Sequence, residues 1–197
     1  MKVRTHVKLA ELSLLKNLTT TPKGFSKFMF NFGLVMVDQS WLIATHPHYI
    51  QKSLGYINEK IEKLLSVKKF NAYHSLQLGI VVHYLCDFCC NSHITGSIGD
   101  VSYHLKYERD LQQYLLDNFH SLKTQIRNKS NNINSNLHNL ASIKASIDKT
   151  LINYVKGKAS LHWDVKHCVE ISSFVCTAIF NASSVLAHGK EPLQLPN

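Results

Sequence analysis

Apolar positions recur at three- and four-residue spacing along most of this chain, the period of helices that bury one face. The first such segment, 5–18, carries Val7, Leu9, Ala10, Leu14 and Leu15. It has the basic residues and short apolar stretch of a secretory leader, but Glu11 interrupts the stretch. No small-x-small cleavage site follows before the Thr19-Thr20-Thr21-Pro22 loop, so an amphipathic first helix is expected instead. After a loop at Pro22–Gly24, an aromatic segment (Phe25, Phe28, Phe30, Phe32) leads to Gly33, and an apolar stretch then reaches Asp38 and Trp41. Tyr49, Ile50, Leu54, Ile57, Ile61, Leu64 and Leu65 predict a helix over 48–66, with Pro47 suited to its first turn. Residues 71–90 are apolar on most faces, the pattern of a buried central helix. Gly96 and Gly99 mark a loop, and Asp100 or Ser102 can cap a helix over about 101–126. The asparagine-rich Asn128–Asn139 reads as a polar connection to two last helices, near 140–156 and 161–187. The expectation is an all-α fold, a multi-helix bundle forming one domain over 1–197.

Composition narrows this further. Eight glycines and four prolines are too few to punctuate the many short strands of an all-β sandwich or barrel. Hydrophobic content of 45% with 18% charged residues excludes a disordered chain. No run approaches ~18 uninterrupted apolar residues, which argues against a spanning helix. The formal charge of +9 favours phosphate-bearing partners without choosing among them. Five cysteines is an odd number, and Cys86, Cys89 and Cys90 crowd on one helix; reduced thiols in a cytoplasmic protein are expected, not a disulfide framework. A lone Cys86-x-x-Cys89 is better read as small buried residues than as a redox pair or half a zinc site.

Twelve histidines beside only thirteen carboxylates direct attention to metal, and their spacing makes the case specific. His83 and Asp87 are four apart, so on a helix they share a face with Cβ atoms about 6 Å apart. His104 and Glu108 repeat the geometry on the next helix, and His93 lies between the pairs. Imidazole with carboxylate is a ligand mixture that Zn²⁺ accepts. The first pair lies in the most apolar helix, where a charge needs a partner or a metal because bare burial is costly. Upstream, Asp38 closes an apolar run, His46-Pro47-His48 follows it, and Thr5-His6 opens the first helix. Singly these read as a cap, loop residues and a first-turn histidine. Together, His6, Asp38, His48, His83, Asp87, His93, His104 and Glu108 suffice for a polynuclear site.

These residues resemble the zinc-dependent phospholipase C family, related in fold to the P1-type nucleases. The likeness runs from Thr5 to about Leu115. It is carried by T-H-x-x-x-A (Thr5, His6, Ala10), by F-x-x-G-x-x-x-x-D (Phe30, Gly33, Asp38) and by H-x-x-x-x-S-L-x-Y-I (His48, Ser53, Leu54, Tyr56, Ile57). L-G-x-x-x-H-Y-L-x-D-x-x-x-x-x-H (Leu78, Gly79, His83, Tyr84, Leu85, Asp87, His93) and H-x-x-x-E (His104, Glu108) complete it. The resemblance implies two or three zinc ions. Asp38, His48, His83 and Asp87 would hold one, and His93, His104 and Glu108 a second. Asp87 would bridge to a third, bound by His6 and the N-terminal backbone. The secreted enzymes use a mature N-terminal tryptophan there, whereas this chain has Met1 five residues before His6. Val37 stands where a proline commonly precedes the aspartate, and His46 competes with His48 on local chemistry.

The implied chemistry is phosphodiester hydrolysis by metal-activated water, with Asp38 as general base. The substrate would be a phospholipid or another phosphodiester, met through peripheral contact with a membrane surface. Phe25, Phe28, Phe30, Trp41 and Tyr49 suit an apolar approach, or core packing. The same aromatics could stack nucleobases in a P1-like single-strand nuclease, with nucleic acid the weaker prospect. A non-catalytic metal-binding helical protein is the third reading. The lysines at 60, 63, 68, 69, 156 and 158 suit either anionic partner, or are ordinary solvated faces. His74, His120, His138, His162, His167 and His188 fit no ligand spacing, and packing or surface roles are expected for His162 and His167.

Overall fold

The structure, a computed structural model, describes residues 1–16, 21–94, 101–128 and 140–187. The expected loop at Gly96 and Gly99, the cap at Asp100, the connection 129–139, and His138 and His188 lie outside the described residues. Nearly everything described is helix, with no strand among the described residues. The helices are α1 (Val3–Lys16), α2 (Lys27–Met36), α3 (Leu42–Thr45), α4 (Ile50–Leu65), α5 (Ala72–Phe88), α6 (Asn91–Ile94), α7 (Val101–Asn128), α8 (Leu140–Lys156) and α9 (Leu161–Ala187), with a 3-10 turn at Val37–Gln39 after α2.

Three local signals were read differently by the backbone. Helix α1 starts at Val3, earlier than expected, because the Lys2 carbonyl accepts from the N–H groups of Thr5 (2.9 Å) and His6 (3.2 Å). Pro47 stays outside α4, whose cap position falls to Tyr49. Ser102 is already inside α7 rather than capping it. Elsewhere the polar caps behave as their chemistry dictates. Ser26 Oγ accepts from Met29 N–H at the start of α2, and Asn71 Oδ1 accepts from His74 N–H at the start of α5.

Helix α5 runs through the middle, buried along Leu78–Phe88, with α2, α4 and α9 packed around it. Its closest neighbour is α2, and two glycines explain the approach. A Cβ on Gly79 would stand 2.1 Å from the Phe30 carbonyl oxygen, and one on Gly33 2.2 Å from that of Leu76. Only residues without side chains let the two backbones meet so closely. That contact delivers Asp38, just beyond α2, to the face of α5 carrying His83 and Asp87. Phe30 and Leu34 are wholly buried beside it.

Phe30 is therefore core and lines no approach, and Phe25 packs against Phe30 and Phe180. Helix α9 is long and apolar enough to cross a membrane by length and composition. Its Val165, Cys168, Ile171, Val175, Ile179 and Phe180 instead complete the same apolar cluster as α1 and α5. All five cysteines are free and buried, and Cys168 Sγ donates to the Cys86 carbonyl at 3.2 Å. Burial pushes the Cys89 and Cys90 thiols up, away from thiolate chemistry.

Candidate metal centre

Two groups of convergent side chains stand at the end of α5. Asp38, His48, His83 and Asp87 form one, and His93, His104 and Glu108 the other; within each, one donor atom per residue lies within 4.8 Å of the rest. In the first, His83 Nε2 is 3.1 Å from Asp87 Oδ2 and 3.4 Å from Asp38 Oδ1, and His48 Nδ1 is 2.7 Å from Asp87 Oδ2. In the second, Glu108 Oε1 lies 2.8 Å from His104 Nε2 and 3.5 Å from His93 Nε2. Both i,i+4 pairs thus face inward, as helical spacing requires.

Backbone carbonyls orient the rings. His83 Nδ1 donates to the Leu34 carbonyl at 2.7 Å, which turns Nε2 toward the carboxylates. His104 Nδ1 does the same with the Ser92 carbonyl at 3.3 Å. Such bonds aim Nε2 at the centre. Burial lowers His83, but Asp87 and Asp38 outweigh it and hold the ring up to about 9, so a metal bound there would displace the Nε2 proton.

Asp87 links the two groups. Its Oδ1 accepts from the Met1 amine at 3.0 Å and lies 3.4 Å from His6 Nε2 and 3.5 Å from His93 Nε2. The amine also sits 3.1 Å from Glu108 Oε1 and 3.2 Å from His93 Nε2. Met1 therefore folds back into the site, with His6 stacked on His83 at 3.8 Å between ring centroids. Its amine marks the same neighbourhood the resemblance assigned to the N-terminal backbone.

Electrostatics follow from burial and mutual charge. Burial raises the Asp87 carboxyl, but the Met1 ammonium and the imidazoles of His93, His6 and His83 outweigh it and hold Asp87 well below the usual range. Burial also raises Glu108, yet His93 and the amine bring it down to about 2. His6 is driven well below its ordinary value by burial and by His83, which keeps its ring neutral, the form a metal binds.

The donor set fits zinc on a direct observation. His6 Nε2, His83 Nε2 and Asp87 Oδ2, all turned toward the centre, are buried without a well-directed hydrogen bond. Orphaned polar atoms at this density cost free energy unless something accepts their lone pairs. Nitrogen and carboxylate donors in fours and threes are what Zn²⁺ takes.

His46 is not among them. Its ring stacks on Tyr56 at 3.7 Å, and its carbonyl accepts from the Tyr84 hydroxyl at 2.6 Å. Ser53 Oγ donates to the Pro47 carbonyl. The Ser-Leu-x-Tyr-Ile stretch thus clamps the loop that presents His48. His162 pairs with the Tyr114 hydroxyl, and His167 packs on Trp163, so neither reaches the centre.

The two groups open onto a cleft of about 440 Å³, its walls including Asp38, Ile43, Tyr49, His104 and Glu108. Among the known protein families, the model described as zinc dependent phospholipase C matches residues 5–161. The chain belongs to that family. The match extends well beyond Leu115, through α7 and α8. No curated protein and no solved structure matches the chain.

The Met1 amine carries no side-chain signal, and only the resemblance pointed to the N-terminal backbone; one buried acid went unassigned altogether. Asp164, on α9, is a buried acid in a mostly apolar helix; the cost of burying a charge there is the signal that could have singled it out.

Proposed function

We propose that this protein hydrolyses phosphodiesters in the manner of a phospholipase C, with two or three zinc ions held by the eight residues His6, Asp38, His48, His83, Asp87, His93, His104 and Glu108. The observation that carries the reading is the convergence of two donor groups, joined by Asp87, on the floor of one open cleft. His48, His83 and Asp87 with Asp38 would hold the first ion, and His93, His104 and Glu108 the second. His6 and the Met1 amine, both next to Asp87 Oδ1, would hold a third ion if one binds. When bound, zinc activates water at neutral pH and neutralises the phosphodiester's charge.

The protein's own groups do the rest. Asp38 is about a quarter exposed, at the cleft edge, and takes the proton of the attacking water. The P–O bond to the alcohol breaks, leaving a phosphomonoester and a free alcohol. Trp41 is largely exposed, Ile43 lines the cleft, and Leu105 stands exposed next to His104. Exposed apolar side chains on the segments that carry Asp38 and His104 suit contact with a lipid surface.

The test is hydrolysis of p-nitrophenylphosphorylcholine by the zinc-loaded protein. Asp38→Asn, whose amide oxygen can still serve as a donor but cannot take a proton, is expected to keep its zinc and lose about 10²–10⁴-fold in rate, the usual contribution of a general base. Trp41→Ala should slow hydrolysis of phospholipid vesicles while sparing the soluble ester. Cleavage of single-stranded nucleic acid alone would assign a P1-like nuclease, and zinc binding with no hydrolysis a non-catalytic metal protein.

A further inference from the structure

Away from the cleft, the Asp164 carboxylate is fully buried on α9 and gathers donors from three other elements. Its Oδ2 accepts from the backbone N–H of Asn91 at 3.0 Å and from the Tyr107 hydroxyl at 2.8 Å, and its Oδ1 accepts from the Tyr154 hydroxyl at 2.7 Å. Asn91 opens α6, two residues before His93. Tyr107 adjoins Glu108 on α7 and stands three residues after His104. Tyr154 lies on α8, which carries none of the eight candidate ligands. Asp164 itself falls outside the residues that the family model matches.

We propose that Asp164 is a positioning residue that holds His93 against His104 and Glu108 in the geometry of a zinc site; this rests on the zinc reading above. Helix α6 has only four residues, too few to be rigid by its own hydrogen bonds. Its register against α7 is held by the shared Asp164 carboxylate and by two direct contacts. The Ser92 carbonyl accepts from His104 Nδ1, and the half-buried Asn91 side-chain amide donates to the Tyr103 hydroxyl at 3.3 Å. Hydrogen bonds to a carboxylate are charge-assisted and directional, so one buried acid can fix two ligand-bearing helices together. A metal site tolerates displacements of only about 0.5 Å in its ligands, which makes such support decisive for affinity. The other donor group draws on α5 and on the segments around Asp38 and His48, none of which Asp164 hydrogen-bonds.

Two isosteric variants separate positioning from plain stabilisation. Tyr107→Phe and Tyr154→Phe each delete one hydroxyl donor to the same carboxylate. In Tyr107→Phe, Oδ2 keeps the Asn91 N–H. Tyr154→Phe deletes the bond to Oδ1 and is expected to cost at least as much stability. Zinc affinity is measured by chelator competition on the purified full chain, with thermal melting alongside and the visible absorption of the Co²⁺-substituted protein as a second readout. The expected result is one class of site weakened about 10–100-fold in Tyr107→Phe, the span typical of lost outer support. Its Co²⁺ spectrum should change, while Tyr154→Phe binds as the parent does. Equal affinities in both variants, or losses that merely track melting temperature, would overturn the proposal. A parent protein that binds no zinc would overturn both this and the proposed function, whereas normal zinc binding with a neutral Tyr107→Phe removes only the role of Asp164.

Discussion

His46 and His48 show how a difference of two positions separates a packing group from a donor. Identical side chains, two residues apart, meet Tyr56 in one case and Asp87 in the other. His48→Ala should lower the bound zinc by about one ion, while His46→Ala should leave the metal content intact and cost ~0.5–1.5 kcal/mol, the worth of one stacked aromatic pair. Atomic emission on dialysed variants and a denaturant melt check the two halves. Met1 offers a second test. Burial lowers its amine, but Asp87 and Glu108 outweigh that and hold it up to about 11, so two carboxylates compensate an ammonium where the resemblance expects a metal. Placing a Gly-Ser extension ahead of Met1 removes the charged amine from the site. The expected outcome is one zinc fewer than the parent binds, with the remaining ions retained; an unchanged metal count would remove the amine from the ligand set.

Helices α2 and α5 make the centre because their glycines let two backbones touch. Gly79→Ala places a methyl group against the Phe30 carbonyl, backbone that cannot rotate away. The helices must separate, and the cost is expected at about 1–3 kcal/mol, as for other overpacked sites. The displacement also carries Asp38 away from His83, so zinc affinity should fall together with the melting temperature. Gly55, which has open space around its Cβ position, supplies the control: Gly55→Ala should stabilise α4 by ~0.5–1 kcal/mol. Thermal melts of both variants, with zinc titration, decide the matter. The long helices were legible in the chain because their apolar period is strong; those near 140–156 and 161–187 match α8 and α9 to the residue. The short helices α3 and α6 were not, since four residues contain barely one period and form only where neighbours hold them.

Across the whole molecule, a metal in this centre is expected to be coupled to the fold. The candidate donors come from segments far apart in the chain, from Met1 and His6 to Glu108, so zinc held by them would tie α1, α5, α6 and α7 together. Removing it with a chelator should lower the melting temperature, and each kcal/mol of lost binding linkage should appear as about 2–4 °C for a chain of this size. A chelated protein that melts as the parent does would show that the ligands are preorganised without help from the metal. Sequence alone determined the helical class, the buried course of α5 and the pairs His83–Asp87 and His104–Glu108 as candidate donors, because helical period and i,i+4 spacing are local properties of the chain. Tertiary structure decided the rest: that His48 and not His46 faces Asp87, that Phe30 is core, that the Met1 amine returns to the site, and that Asp164 accepts hydrogen bonds from both α6 and α7. Each of these depends on groups 38 to 92 positions apart, or on which face a neighbouring helix covers, and only packing brings such groups within hydrogen-bonding distance.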